Sequence, residues 1–148
     1  MDESLPASLA DTARLMRRAF DARARDIGVT RPQWQVLVTL HRHEGINQGG
    51  LADLLDVEPI TVCRMVDRMQ DAGLVERRPD PADRRSWRLF LTAKAQDQLQ
   101  TLRPLAEDML EQALIGIGAA ERAALSATLA RIRANLVRPT IEPQVAHG

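Results

Sequence analysis

The chain has 148 residues, enough for one domain with a real core, and its 45% hydrophobic and 27% charged content is that of a globular protein. Its 20 basic and 20 acidic residues cancel, so a nucleic-acid role must rest on where the charges sit rather than on their sum. One cysteine excludes an internal disulfide, the N-terminus lacks the basic-then-apolar order of a secretion signal, and no apolar run approaches the roughly 20 residues of a membrane span; the expected location is the cytoplasm, with no membrane partner.

Aromatic residues make up 3% of the chain and tyrosine is absent, so the core falls to Leu, Val, Ala, Met and Ile, a palette that favours helices. Over residues 7–27 the apolar positions Leu9, Ala13, Met16, Phe20, Ala24 and Ile27 recur at three- and four-residue steps, which predicts a helix that Gly28 ends. Thr30 is placed to cap a second helix, with Pro32 tolerated in its first turn and Trp34, Leu37, Val38 and Leu40 on its apolar face. Asn47 caps a short third helix bearing Leu51, Leu54 and Leu55. After the turn Asp56-Val57-Glu58, Pro59 heads a fourth, whose Val62, Met65, Val66 and Met69 form the buried stripe up to Gly73. Two short helices across a tight turn make a helix-turn-helix pattern.

The texture then changes. Residues 74–78 and 87–91 are short β-prone runs, and the stretch from Pro79 to Ser86 between them is rich in turn formers and charge, which predicts a hairpin with a long basic tip, a wing. Thr92 caps a long helix carrying Leu99, Leu102, Ala106, Met109, Ala113 and Leu114, in which Pro104 is expected to introduce a kink or a shift of register. Gly116 and Gly118 interrupt, and a last helix from about 119 to 137 presents Leu125, Leu129, Ile132 and Leu136. The fold expected is mainly α with a small β-hairpin, a winged helix-turn-helix flanked by N- and C-terminal helices.

Charge placement points to a function. Thr61, Arg64 and Arg68 lie opposite the buried stripe of the fourth helix, where a guanidinium can meet guanine or phosphate in a major groove; pairing with Asp67 or Asp71 is the competing use. Arg84 and Arg85 at a hairpin tip cannot reach a core, and an arginine there suits a narrow minor groove, with Asp83 close enough to orient one guanidinium.

The segment from Leu51 to Met69, continuing through Gly73-Leu74-Val75, Arg77-Arg78-Pro79, Asp83-Arg84-Arg85 and Leu89-Phe90-Leu91-Thr92, resembles the MarR family, and within it the SlyA-type branch. Arg17-Arg18-Ala19-Phe20 and Thr30-Arg31-Pro32-Gln33-Trp34 resemble that branch too, so the likeness covers about residues 10–137. It implies a transcriptional regulator, a repressor rather than an activator, that binds double-stranded DNA as a homodimer with interlocked first, fifth and sixth helices. The implied organisation is an N-terminal dimerisation helix over 1–30, a DNA-binding lobe over 31–92, C-terminal dimerisation helices over 93–138 and a tail from 139 to 148. Thr61, Arg64 and Arg68 then belong to the recognition helix, and Asp83, Arg84 and Arg85 to the wing, with Arg85 in the minor groove. Two-fold symmetry implies a palindromic operator with half-sites about 10 base pairs apart. The resemblance also implies a small phenolic or aromatic carboxylate effector between the lobes; the residues expected to line its crevice are Met16, Phe20, Trp34, Val38 and His41, with Arg17 or Arg18 facing the carboxylate.

Other signals weigh less. Cys63 on the recognition helix reads as a small packing residue. His41 and His43, two apart, point to different sides of a helix, and no cysteine pair or His-Glu-x-x-His completes a metal site. No dinucleotide or phosphate-binding loop and no nucleophile elbow is present; Gly49-Gly50 lacks the flanking pattern, so neither an enzyme nor a cofactor is expected. The alternative is a winged helix used only for protein contacts.

Overall fold

The computed structural model describes residues 4–137, and the tail expected from residue 139 lies outside them. Among the described residues the order is α1 (Leu5–Asp26), α2 (Arg31–Arg42), α3 (Gln48–Leu55), α4 (Pro59–Asp71), β1 (Val75–Pro79), β2 (Trp87–Leu91), α5 (Ala93–Ala113) and α6 (Ala119–Val137). They fall into two compact units that divide between Ala113 and Leu114.

In the first unit the core is Val36, Leu37 and Leu40 of α2, Leu51 of α3, Val62 and Val66 of α4, Leu89 of β2 and Leu102 of α5, all within reach of full burial. The predicted stripe of α4 is inside at Val62, Val66 and Met69, with Met65 half-buried. On α1 the prediction holds less well: Phe20 and Ala24 are buried, Ala13 and Met16 are half-buried, and Leu9 and Ile27 are exposed. Beside the middle of α1, the end of α5 leaves an open cavity of about 380 Å³ between Leu15, Met16 and Ala19 on one side and Met109 and Ala113 on the other, instead of a packed seam.

Caps set the helix ends. Ser4 starts α1 earlier than its apolar stripe does, its Oγ accepting from the Ala7 N–H. Thr30 and Gln33 form a reciprocal box, Thr30 Oγ1 accepting from the Gln33 N–H and Gln33 Oε1 from the Thr30 N–H. Asn47 Oδ1 accepts from the Gly50 N–H at 2.7 Å. A Cβ at Gly50 would stand 2.7 Å from Ile46 Cγ1, so the glycine is required by close packing. The end of α4 is tied to the start of α5. Gly73, at φ 75°, turns the chain in the left-handed region. The Thr92 hydroxyl donates to the Gly73 carbonyl at 2.6 Å and accepts from the Ala95 N–H, and Lys94 Nζ donates to the Ala72 carbonyl at 2.8 Å. The single lysine thus satisfies a helix terminus.

The hairpin is antiparallel with Val75 opposite Leu91, Arg77 opposite Leu89 and Pro79 opposite Trp87. Its outer edge is partly paired, because Gly45 N–H donates to Leu89 O and Leu89 N–H to Ile46 O, both at 2.9 Å. Helix α5 continues through Pro104 as one helix and stops at Ala113, so Leu114 falls outside it.

In the second unit Arg122 donates to the carbonyls of Ile117 and Leu114 and closes the turn that precedes α6. No residue of α6 is buried, and Leu125 and Leu136 are exposed. No helix among the described residues is long and apolar enough to cross a membrane.

A buried carboxylate joins α1 to α2. Asp21, 9% exposed, pairs with Arg31 and accepts from Trp34 Nε1 at 2.7 Å, while Trp34 meets Phe20 edge-on with ring centres 4.9 Å apart. Burial opposes the Asp21 charge most strongly of any single influence, but the hydrogen bonds from Arg31 and Trp34 and the charges of Arg31 and Arg25 together hold its pKa below the ordinary carboxylate value. A lowered folded-state pKa contributes stability above the unfolded value, near 3.9, and loses it as the pH falls through the folded one. Asp21→Asn is therefore expected to cost about 1–3 kcal/mol at pH 7, with the gap to wild type closing below about pH 4, as read by urea unfolding. An equal gap at pH 7 and pH 3 would show that the carboxylate charge contributes nothing.

Candidate nucleic-acid interface

Helix α4 presents three flanks. Val62, Val66 and Met69 face the core. Cys63, Asp67 and Gln70, at steps of four and three, face the hairpin, where Arg77 meets them. Thr61, Arg64 and Arg68 are exposed, as the sequence predicts, and Ile60 joins them at 60% exposure. Arg68 leans toward the start of α2, lining a cavity of about 420 Å³ with Thr30, Pro32, Gln33 and Met65.

The competing use of Asp67 goes to neither helix arginine. Arg77 reaches back from β1 and takes Asp67 Oδ1 at 2.7 Å, Gln70 Oε1 at 2.6 Å, Gln48 Oε1 at 2.8 Å and the Cys63 carbonyl at 3.4 Å. One planar group with five donors in a fixed fork thereby fastens the hairpin to α3 and α4. Sequence reasoning passed over Arg77; the signal available was an arginine in a β-run at a position whose alternate neighbours, Val75 and Pro79, are apolar.

The tip organises itself through short acidic turns. Asp80 Oδ1 accepts from the Ala82 N–H at 2.9 Å and Asp83 Oδ1 from the Arg85 N–H at 3.0 Å, while Asp80 N–H donates to Ser86 O. The Asp83 carboxylate holds the backbone of Arg85, and among the described residues no ion pair joins it to either tip guanidinium. The other arginines of the region are engaged, Arg78 with Glu76 at 3.2 Å and over the Phe90 ring at 4.0 Å, and Arg88 with Asp80 at 3.6 Å. Of the arginines from Arg64 to Arg88, Arg64, Arg68, Arg84 and Arg85 have no ion-pair partner among the described residues, and they are the four of this region that the sequence places outward.

Of the residues expected to line one effector crevice, Phe20, Val38 and His41 come together and the others do not. Phe20, Val38 and His41 line a cavity of about 150 Å³ with Leu99, Leu102, Arg103 and Ala106. Met16 lines the separate cavity at the end of α5, whose guanidinium is Arg23, already bonded to Asp108 at 3.1 Å and Gln112 at 2.7 Å. Trp34 is committed to Asp21 and Phe20. Arg17 and Arg18 are exposed and line neither cavity; the cation beside Val38 and His41 is Arg103.

A helix-turn-helix whose second helix is fastened to an arginine-tipped hairpin is the architecture of winged-helix transcriptional regulators, and the comparisons agree. The MarR family profile matches residues 29–87. A protein described as an uncharacterized HTH-type transcriptional regulator, YybA, of Bacillus subtilis (strain 168) is 30% identical over 128 residues, 84% of this chain and 85% of its own. Among solved structures, the transcriptional regulator PA3341 is 34% identical with a TM-score of 0.78, over 90% of this chain and 98% of its own. A MarR family regulator from Listeria monocytogenes, solved with a 26mer DNA, shares the fold at a TM-score of 0.77 and 22% identity, over 90% of this chain and 89% of its own. The chain belongs to the MarR family of transcriptional regulators.

Arg77→Met keeps an aliphatic stem and removes all four links of the guanidinium to α3 and α4. It is expected to lower stability by about 1–3 kcal/mol. Hydrogen exchange should quicken in residues 75–79 and 87–91 and stay as in wild type across α1 and α5. A hairpin as protected as before would show that apolar packing alone holds the wing.

Proposed function

We propose that this regulator, of the SlyA-type branch, represses transcription in the cytoplasm by binding an inverted-repeat duplex as a homodimer. The observation that carries the reading is the set of four unpartnered guanidinium groups on two adjoining elements, Arg64 and Arg68 on α4 and Arg84 and Arg85 on the hairpin. A helix bearing outward arginines suits the major groove, and a stiff basic tip suits the minor groove beside it. In this reading Thr61 and Arg64 meet base edges or phosphates, Arg68 and Arg84 grip the backbone, Arg85 enters the minor groove, and Asp83 holds the tip backbone that aims it. A winged helix used only for protein contacts has no need of that charge.

Dimerisation is assigned to the flanking segments, 1–30 and 93–138, around the DNA-binding lobe of residues 31–92. The unburied apolar residues of α6 and of the first half of α1 support it, since an apolar face left open in one protomer is what a two-fold partner covers. A sedimentation mass of twice the 16.5 kDa chain is expected.

The cavity of Phe20, Val38, His41 and Arg103 is the candidate effector site, because about 150 Å³ holds one aromatic ring and Arg103 can receive its carboxylate. A benzoate-class acid is expected to release the duplex from wild type, and at least tenfold more acid to be needed for Arg103→Ala. Equal potency on both chains would remove Arg103 from the site.

Selection from a random duplex pool is expected to enrich an inverted repeat. On the selected site Arg85→Ala should weaken binding and reduce the slope of log affinity against log salt by about one, with the dimer intact. An unchanged slope would refute the Arg85 assignment, and failure to enrich any duplex at low salt would refute the DNA reading.

A further inference from the structure

We infer that Trp87 is a direct contact to duplex DNA, its ring packed against a deoxyribose and its indole N–H donated to a phosphate oxygen; the inference rests on the DNA reading above. The two tryptophans of the chain are used in opposite ways. Trp34 donates its indole N–H to Asp21 and packs on Phe20. Trp87 is 46% exposed, and among the described residues its indole N–H has no hydrogen-bond partner. A large apolar body with a free donor at its edge suits a surface that is itself apolar and anionic by turns, which is the character of a sugar-phosphate backbone.

Its position narrows the occupant. Alternate residues of a strand share a face, and so do cross-strand partners. Trp87 pairs with Pro79, one pleat beyond the pair of Arg77 with Leu89, and Arg77 is the residue that reaches α4. Trp87 therefore stands on the α4-facing side of the hairpin, just past the part that α3 and α4 cover. Arg84 and Arg85 lie three and two residues before it at the tip, and Arg64 lies on the outward flank of α4. A polyanion that engages both sets of guanidinium groups crosses the strip between them, where the indole is. Duplex DNA brings one phosphate charge per about 1.7 Å of axis to that strip.

Trp87 is neutral, which separates its contribution from that of the arginines. Trp87→Ala is expected to weaken binding of the selected duplex roughly tenfold at every salt concentration, leaving the salt slope as in wild type. Trp87→Phe keeps a ring, loses the N–H and is expected to fall between the two. The difference in emission between wild type and Trp87→Phe isolates Trp87 without disturbing Trp34, and in the complex that component is expected to be shielded from acrylamide. Should Trp87→Ala fail to fold, as judged by its thermal melt, the emission measurement carries the test. Wild-type affinity in Trp87→Ala, or Trp87 emission as open to acrylamide with duplex as without it, would overturn the assignment and leave the DNA reading standing. Shielding that grows with protein concentration in the absence of duplex would give this face to a second copy and overturn it as well. A wild-type chain that enriches no duplex would overturn both.

Discussion

Arg77 draws acceptors from two helices onto one guanidinium: Asp67, Gln70 and the Cys63 carbonyl of α4, and Gln48 of α3. A two-stranded hairpin is marginal by itself in water, and the apolar anchor of this one is small: Val75, Leu89 and Leu91. The arginine adds direction to that anchor, because its fork accepts partners only in its own plane. With the side chain 16% exposed, its charge is largely removed from water and its donors must be met, so a displaced hairpin would strand them. The spacing between the outward face of α4 and the wing tip is fixed by that requirement, and the DNA contact proposed above needs both at a fixed spacing.

The seven arginines between Arg64 and Arg88 divide by the same logic. Arg77, Arg78 and Arg88 lie within the strands, where neighbouring carboxylates or a ring face are in reach, and each has one. Arg64, Arg68, Arg84 and Arg85 lie where curvature carries side chains away from one another: the outside of a helix and the end of a hairpin. An exposed arginine gains little from a surface pair, so leaving these four unpaired costs the fold little and keeps their donors free. The acidic residues at the tip act on the backbone instead. Asp80 and Asp83 accept from main-chain N–H groups and hold the loop in shape without neutralising the cations beside them.

Local chemistry made most of this architecture legible from residues alone. Thr30, Asn47, Pro59, Gly73 and Thr92 stand at helix ends because capping and φ preferences act over three or four residues, a range a reader of sequence can see. The outward arginines were legible for the same reason, since helical periodicity separates them from Val62, Val66 and Met69. What stayed hidden depended on long-range geometry. Nothing local assigns Asp67 to Arg77 rather than to Arg64 or Arg68, nor commits Trp34 to Asp21, thirteen residues back on another helix. The separation of Met16 from Phe20 and Val38 has the same origin: apolar periodicity says that all three face inward but not toward which cavity. On α1 and α6 periodicity overstated burial, because a stripe records what a helix is suited to cover and not whether its partner belongs to the same chain.

Helix α5 joins the cavity beside Phe20 to α4. Leu99, Leu102, Arg103 and Ala106 of the cavity belong to α5, and the first turn of that same helix holds the last carbonyls of α4 through Thr92 and Lys94. The opposite wall is Phe20 of α1 and Val38 and His41 of α2, two helices pinned together by Asp21, Arg31 and Trp34. A ring entering between that pair and α5 would press on the first half of α5, which α1 holds through Arg23 only near its far end, at Asp108 and Gln112. Because α4 is bound to α5 at one end and to the wing through Arg77, it would carry the wing with it. A ligand shifts such an equilibrium only as far as it prefers one arrangement over the other. For the effector proposed above, the clamp at Asp21 would supply that preference: a yielding α1–α2 wall would absorb the ligand without moving α4, whereas a rigid one would pass the displacement to the face proposed for DNA.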